Sequence, residues 1–154
     1  MYDISIEVTT EPPPDLDVAA LPVLAERVMA GEAVADGTAL AILLCDDNEI
    51  REMNRQFLGI DEPTDVLSFP DEADDFVVGM AQTPLLGDIA LALPTAVRQA
   101  AEVGHSLDAE ASHLLVHGIL HLCGYDHVDD PEAEARMRER EEHYLGALGA
   151  VHHH

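Results

Sequence analysis

Ala39 to Gly59 reads ALAILLCDDNEIREMNRQFLG, and its two halves follow different rules. Ala39 to Cys45 is a continuous apolar run, too short for a helix of ordinary length and suited to a strand covered on both faces. Asp46-Asp47 then caps a helix that runs to about Leu58 and stops at Gly59. A doubly covered strand feeding a capped helix requires layers on both sides of a sheet. Working back from it, Asp3 to Val8 alternates, with Ile4, Ile6 and Val8 on one face of a half-buried strand closed by Pro12-Pro13-Pro14. Asp17 to Met29 follows as an amphipathic helix whose stripe is Leu21, Leu24, Ala25 and Val28, ending at Gly31. Working forward, Asp61-Glu62-Pro63-Thr64 is a turn and Val66 to Phe69 a short strand. Pro70 to Pro84 is acidic and without period, a long mobile loop.

Gly87 to Leu93 is the next strand. Pro94 opens a helix to about Val103, and Leu107-Asp108 opens a longer one that ends at Gly124. Asp130-Pro131 starts the last helix, with Ala133, Met137, Tyr144 and Leu148 turned inward and Glu132/Arg136 and Glu134/Arg138 paired outside. The order β-α-β-α-β-β-α-α-α predicts an α/β (α+β) fold: a single mixed four-stranded sheet with helices packed on it. Residues 1–150 form one domain, and His152-His153-His154 in the 151–154 tail has the character of a purification tag, so it enters no functional count.

The composition bounds the function. The 154 residues are 47% hydrophobic and 25% charged with mean hydropathy +0.02, enough for one core without disulfides. No apolar run approaches the roughly 20 residues of a membrane span, and Met1-Tyr2-Asp3-Ile4-Ser5 lacks the pattern of a secretory signal, so a cytoplasmic protein with no membrane partner is expected. Cys45 and Cys123 sit among apolar neighbours and read as core thiols. The 31 Asp plus Glu against 7 Arg and no Lys give a charge of −24, which repels polyanions at long range and argues against a general nucleic-acid coat.

Chemistry is concentrated in His113 to His127, HLLVHGILHLCGYDH. His117 and His121 stand at i and i+4, so on a helix they leave one face about 6 Å apart along the axis, close enough to share an ion. Gly124 can end that helix in a left-handed turn that brings His127 back to the same ion, a set of three imidazoles with a fourth position for water, as in catalytic zinc. Zinc lowers the pKa of such a water from about 15.7 to about 7. One turn earlier, His113 is a candidate to support a ligand or to line a substrate cleft, with a plain structural role as the alternative. The spacing and the glycine match the HExxHxxGxxH zinc proteases, but their general base, the Glu after the first His, is replaced by Gly118. Asp126 is the nearest carboxylate in sequence, able to orient a ligand or relay a proton, or only to stabilise the turn.

HGILHLCGYDH from His117 to His127 resembles the signature HGxLHLxGYDH of the bacterial YbeY family. Asp61-x-Pro63-Thr64-Asp65-Val66-Leu67-Ser68-Phe69 resembles that family's second motif, and Gly87-Asp88-Ile89 its third. The resemblance runs in order from about Cys45 to Leu148. It implies a zinc-dependent, single-strand endoribonuclease, one Zn2+ per chain on His117, His121 and His127, that matures the three-prime end of small-subunit ribosomal RNA and serves ribosome quality control. It also implies partners: ribosomal RNA, the small ribosomal subunit and its proteins, and a ribosome-associated GTPase. One position departs: the family arginine that meets the RNA phosphate is Leu58 here, and Arg55, one helical turn back, is the candidate substitute, with a solvated surface role as the alternative.

Two further readings stand beside the nuclease. A ribosome-assembly factor with a mainly structural zinc is favoured by the scarcity of basic residues and by Leu58; the open coordination position counts against it. A zinc endopeptidase is weakened by Gly118. The metal itself is open at this stage, because three imidazoles also suit nickel, copper or iron.

Overall fold

The structure is a computed structural model that describes residues 2–70, 85–125 and 131–145. These residues form strands β1 (Asp3–Val8), β2 (Ala39–Cys45), β3 (Val66–Pro70) and β4 (Leu85–Ala92), and helices α1 (Ala20–Gly31), α2 (Asp47–Leu58), α3 (Leu93–Val103), α4 (Leu107–Leu122) and α5 (Pro131–Leu145). The stretch expected to be a loop from Pro70 to Pro84 lies almost wholly outside them. So do Asp126, His127 and Leu148.

The strands line up as β1-β2-β4-β3, the first two pairings parallel and the last antiparallel, which is the mixed four-stranded sheet expected. The apolar run Ala39–Cys45 is a central strand, as its lack of alternation requires. One register row crosses every strand as Ile6, Ile42, Ile89 and Ser68. Leu40, Ile42, Leu44, Ile89 and Leu91 face the main core with α1, α3, α4 and α5, while Cys45, Leu67, Ala90 and Ala92 face a smaller core under α2 with Ile50. β1 is an edge strand, so Ile4 and Ile6 are half-buried and Val8, at its end, stays exposed.

Local signals explain the boundaries. Asp46 and Glu49 make a reciprocal capping box at the start of α2, with Glu49 N donating to Asp46 Oδ1 at 2.8 Å, and Gly59 ends the helix in the left-handed region at φ 74°. Helix α1 starts at Ala20 rather than Asp17, because the chain from Pro13 to Val18 is spent on turns and the Asp17 N–H donates to Asp108 Oδ1 of α4 at 2.8 Å. β4 begins at Leu85, two residues before the expected start. Helix α4 gives way at Leu122, and Gly124 occupies the left-handed position just beyond, at φ 102°. None of the described helices is long and apolar enough to cross a membrane.

Two glycines set how closely layers approach. A Cβ on Gly118 would meet Ser68 Oγ at 3.1 Å and Ile89 Cδ1 at 3.2 Å, so α4 lies against the sheet at this point. A Cβ on Gly87 would stand 2.5 Å from the Phe69 carbonyl and 2.8 Å from Leu122 Cδ2. The backbone cannot yield there without breaking the β3–β4 ladder, so Gly87→Ala should cost about 1–3 kcal/mol with an unchanged denaturant slope, read from urea unfolding.

Both cysteines are free; Cys45 is buried and Cys123 half-buried. Burial, with the Glu49 charge nearby, pushes the Cys45 thiol up from 9.0 to about 12; burial and then Glu32 push Cys123 to about 11. Burial and a bond to Glu32 push the Tyr144 phenol from 10.0 to about 12. Each group holds its proton more tightly folded than unfolded, so its contribution is complete below about pH 9 and is lost as pH rises toward 11 or 12. The urea midpoint should therefore fall between pH 8.5 and 10.5; a flat profile would contradict the burial of these groups.

Candidate metal centre

Ser106 starts α4 by accepting a bond from Ala109 N at 3.0 Å, and Asp108 and Glu110 in the first turn complement the helix dipole. His113, His117 and His121 then recur every four residues on one face. At the far end Tyr125 N donates to Leu120 O and Gly124 N to His121 O, both at 3.0 Å, the paired bonds of a Schellman motif. His121 is thereby held in a closed final turn.

The imidazoles are arranged by their partners. His117 Nε2 and His121 Nε2 stand 3.1 Å apart, with the ring centroids at 4.6 Å and the planes nearly perpendicular. The other nitrogen of His117, Nδ1, donates to Glu141 Oε2 at 2.6 Å, which fixes the tautomer and leaves the Nε2 lone pair directed toward His121. His113 lies one turn earlier, 4% exposed, its ring stacked on His117 at 6.1 Å. The two ring planes are inclined by 24°.

Two donors that share an ion at about 2.0–2.1 Å stand roughly 3.3–3.4 Å apart in ideal tetrahedral coordination, and the His117–His121 separation of 3.1 Å is close to that spacing. His113, His117 and Glu141 also each offer a ligand atom, all within 4.8 Å of one another, so the neighbourhood is compatible with a metal ion. The contact from Glu141 to His117 is too short for two ligands of one ion and is a hydrogen bond's length. Glu141 is therefore placed to orient the His117 imidazole by a hydrogen bond.

A family model described as Endoribonuclease YbeY matches residues 14–149. The chain belongs to the YbeY family. An Endoribonuclease YbeY of Chloroflexus aurantiacus is 47% identical over 127 residues, 81% of this chain and 82% of that protein. One from Roseiflexus castenholzii is 43% identical over 154 residues, 97% of each chain. A solution structure from Thermotoga maritima superposes with a TM-score of 0.63 at 28% identity, covering 97% of this chain and 90% of that one.

Of the expected site residues, the structure brings His113, His117 and His121 together; Asp126 and His127 fall outside the described residues. Arg55 is in the last turn of α2, half exposed, and its Nε donates to Glu52 Oε2 at 3.1 Å while Nη2 bonds the same carboxylate. Leu58, where the family resemblance implies an arginine, is 58% exposed and lines a groove of about 700 Å3 with Met53, Phe57 and Phe69, on the side of the sheet where α2 packs. Gly118, at the position of the protease base, faces Ser68 and Ile89, so a carboxylate there would be driven into the sheet.

Glu141 was not legible from the histidine motif, which ends fourteen residues before it. Its signal lay in α5, where Ala133, Met137 and Tyr144 make an apolar stripe and an acidic residue interrupts it. Glu141 is 9% exposed, and a carboxylate on a buried stripe needs a cationic or N–H partner. Glu141→Gln keeps an acceptor but removes the charge, and metal affinity should drop about 10–100-fold in a chelator competition on tag-free protein.

Proposed function

We propose that this YbeY protein is a zinc-dependent endoribonuclease that cuts phosphodiester bonds in unpaired RNA, matures the three-prime end of small-subunit ribosomal RNA and takes part in ribosome quality control. The observation that carries the reading is the convergence of His117 and His121 at 3.1 Å with the far side of His117 tied to a carboxylate. In this reading His117, His121 and His127 hold the ion. Bound zinc supplies Lewis acidity toward a phosphoryl oxygen and a water acidic enough to react near neutral pH.

The chain's own residues do the rest. Glu141 keeps His117 in the Nδ1–H tautomer, and His113, one turn earlier on the same face, lines the site. Asp126, beside His127 in sequence, is in this reading the carboxylate that holds or relays a proton. Arg55 meets a phosphate after leaving Glu52. That exchange is cheap, because an exposed pair three residues apart is worth only about 0–1 kcal/mol, while a guanidinium–phosphate pair is bidentate. With a formal charge of −24, specificity for ribosomal RNA rests on the small subunit, its proteins and a ribosome-associated GTPase in the cytoplasm.

The assembly-factor reading keeps a specific support, since Leu58 offers no charge and Arg55 is engaged by Glu52. Cleavage of an unpaired ribosomal RNA fragment by tag-free protein separates the two. Wild type should cut and His117→Ala should not. Arg55→Ala should reduce turnover by up to about tenfold with zinc content intact, and Leu58→Arg should raise it. Zinc-loaded wild type that leaves RNA uncut while binding small subunits would favour the assembly factor.

A further inference from the structure

We infer that Glu32, at the end of α1 and outside the three sequence motifs described above, is a positioning residue that holds both sides of the imidazole pair. The inference rests on the metal reading of the site. The Glu32 side chain is 6% exposed and accepts from three donors on two segments. Oε1 accepts from Tyr125 Oη at 2.8 Å; Oε2 accepts from Arg140 Nε at 2.9 Å and from the Tyr144 hydroxyl. Arg140 Nη2 adds a bond to Tyr144 Oη at 2.9 Å, and its guanidinium lies 5.3 Å from the centre of that ring.

These donors flank the site. Tyr125 is the residue whose N–H closes the Schellman turn over Leu120, and the same turn takes the carbonyl of His121 through Gly124 N. Arg140 and Tyr144 bracket Glu141, the carboxylate that holds His117. One carboxylate thus fixes the turn that carries His121 and the helical stretch that carries Glu141. His117 lies between them, and the 3.1 Å separation that suits a shared ion depends on both. Tyr144 also packs where a Cβ on Gly31 would collide, so α1 and α5 meet with no slack at this point. Although burial pushes the Glu32 carboxyl up, the hydrogen bonds from Tyr144, Tyr125 and Arg140 outweigh it and hold the group below its ordinary value, so it stays a charged acceptor.

A structural ion pair between α1 and α5 would affect stability alone. A positioning residue also changes the geometry offered to the ion, and two variants tell these apart. Glu32→Gln removes the charge; Tyr125→Phe removes one hydroxyl and leaves the Glu32–Arg140 pair in place. On tag-free protein, each should weaken zinc binding on the order of tenfold in chelator competition and alter the visible absorption of the cobalt-substituted protein. Tyr125→Phe should do so with a smaller fall in the unfolding midpoint of the metal-free protein than Glu32→Gln causes, and the two effects on zinc affinity should be less than additive. Wild-type zinc affinity and an unchanged cobalt spectrum in Tyr125→Phe would overturn the inference, whatever Glu32→Gln does to folding. Wild type that binds no zinc would overturn the metal reading and the inference together.

Discussion

Helix α4 is enclosed by α1, α3, α5, β3 and β4, and eleven of its sixteen residues are buried. His117 is only partly exposed on such a helix, so its inner ring nitrogen meets a protein partner of fixed geometry. Glu141 is that partner, and the demand explains why α5 carries a carboxylate on its apolar stripe. It also explains the close seat at Gly118: with no side chain, the helix comes near enough to Ser68 and Ile89 to close the core while its polar face turns toward α5. Fold and site are two consequences of burying one histidine-bearing helix.

Most of the architecture was legible in the chain because its signals are local. β1 and β2 have the bounds that alternation and an unbroken apolar run predict, and α2 runs between its cap and Gly59. Two helix boundaries moved for different reasons: α1 starts late where Asp17 reaches across to Asp108, a tertiary contact, and α4 stops before its glycine because the glycine closes a local turn beyond it. For the site, the i, i+4 spacing was enough to bring His117 and His121 together. Glu141 and Glu32 were not legible from that motif, since each acts across about 24 or 93 residues of sequence through a contact that only the packed layers create.

The departure at Leu58 has a physical setting. The groove it lines is mostly apolar but carries Glu7 and Asp88, with Phe57 and Phe69 rings 5.1 Å apart, and the two arginines of α2 are each paired with an acid, Arg51 with Asp61 and Arg55 with Glu52. In a chain with 7 cationic side chains against 31 acids, a basic group left without an acidic neighbour is scarce. A phosphate arriving at α2 must compete with a carboxylate already in place, so α2 by itself is a poor recruiter of an anionic polymer.

The bond from Ser68 Oγ to the Gly118 carbonyl, 3.1 Å long, joins an edge strand of the sheet to the helix turn that holds both paired imidazoles. Edge strands open more readily than central ones, and an opening that pulls β3 away would take this anchor from α4. The two events are then thermodynamically linked: whatever stabilises the imidazole pair must also suppress the opening of β3. Amide exchange along Leu67 to Phe69 would then slow on metal loading although these residues touch no ligand, which makes a five-residue strand a remote reporter of site occupancy.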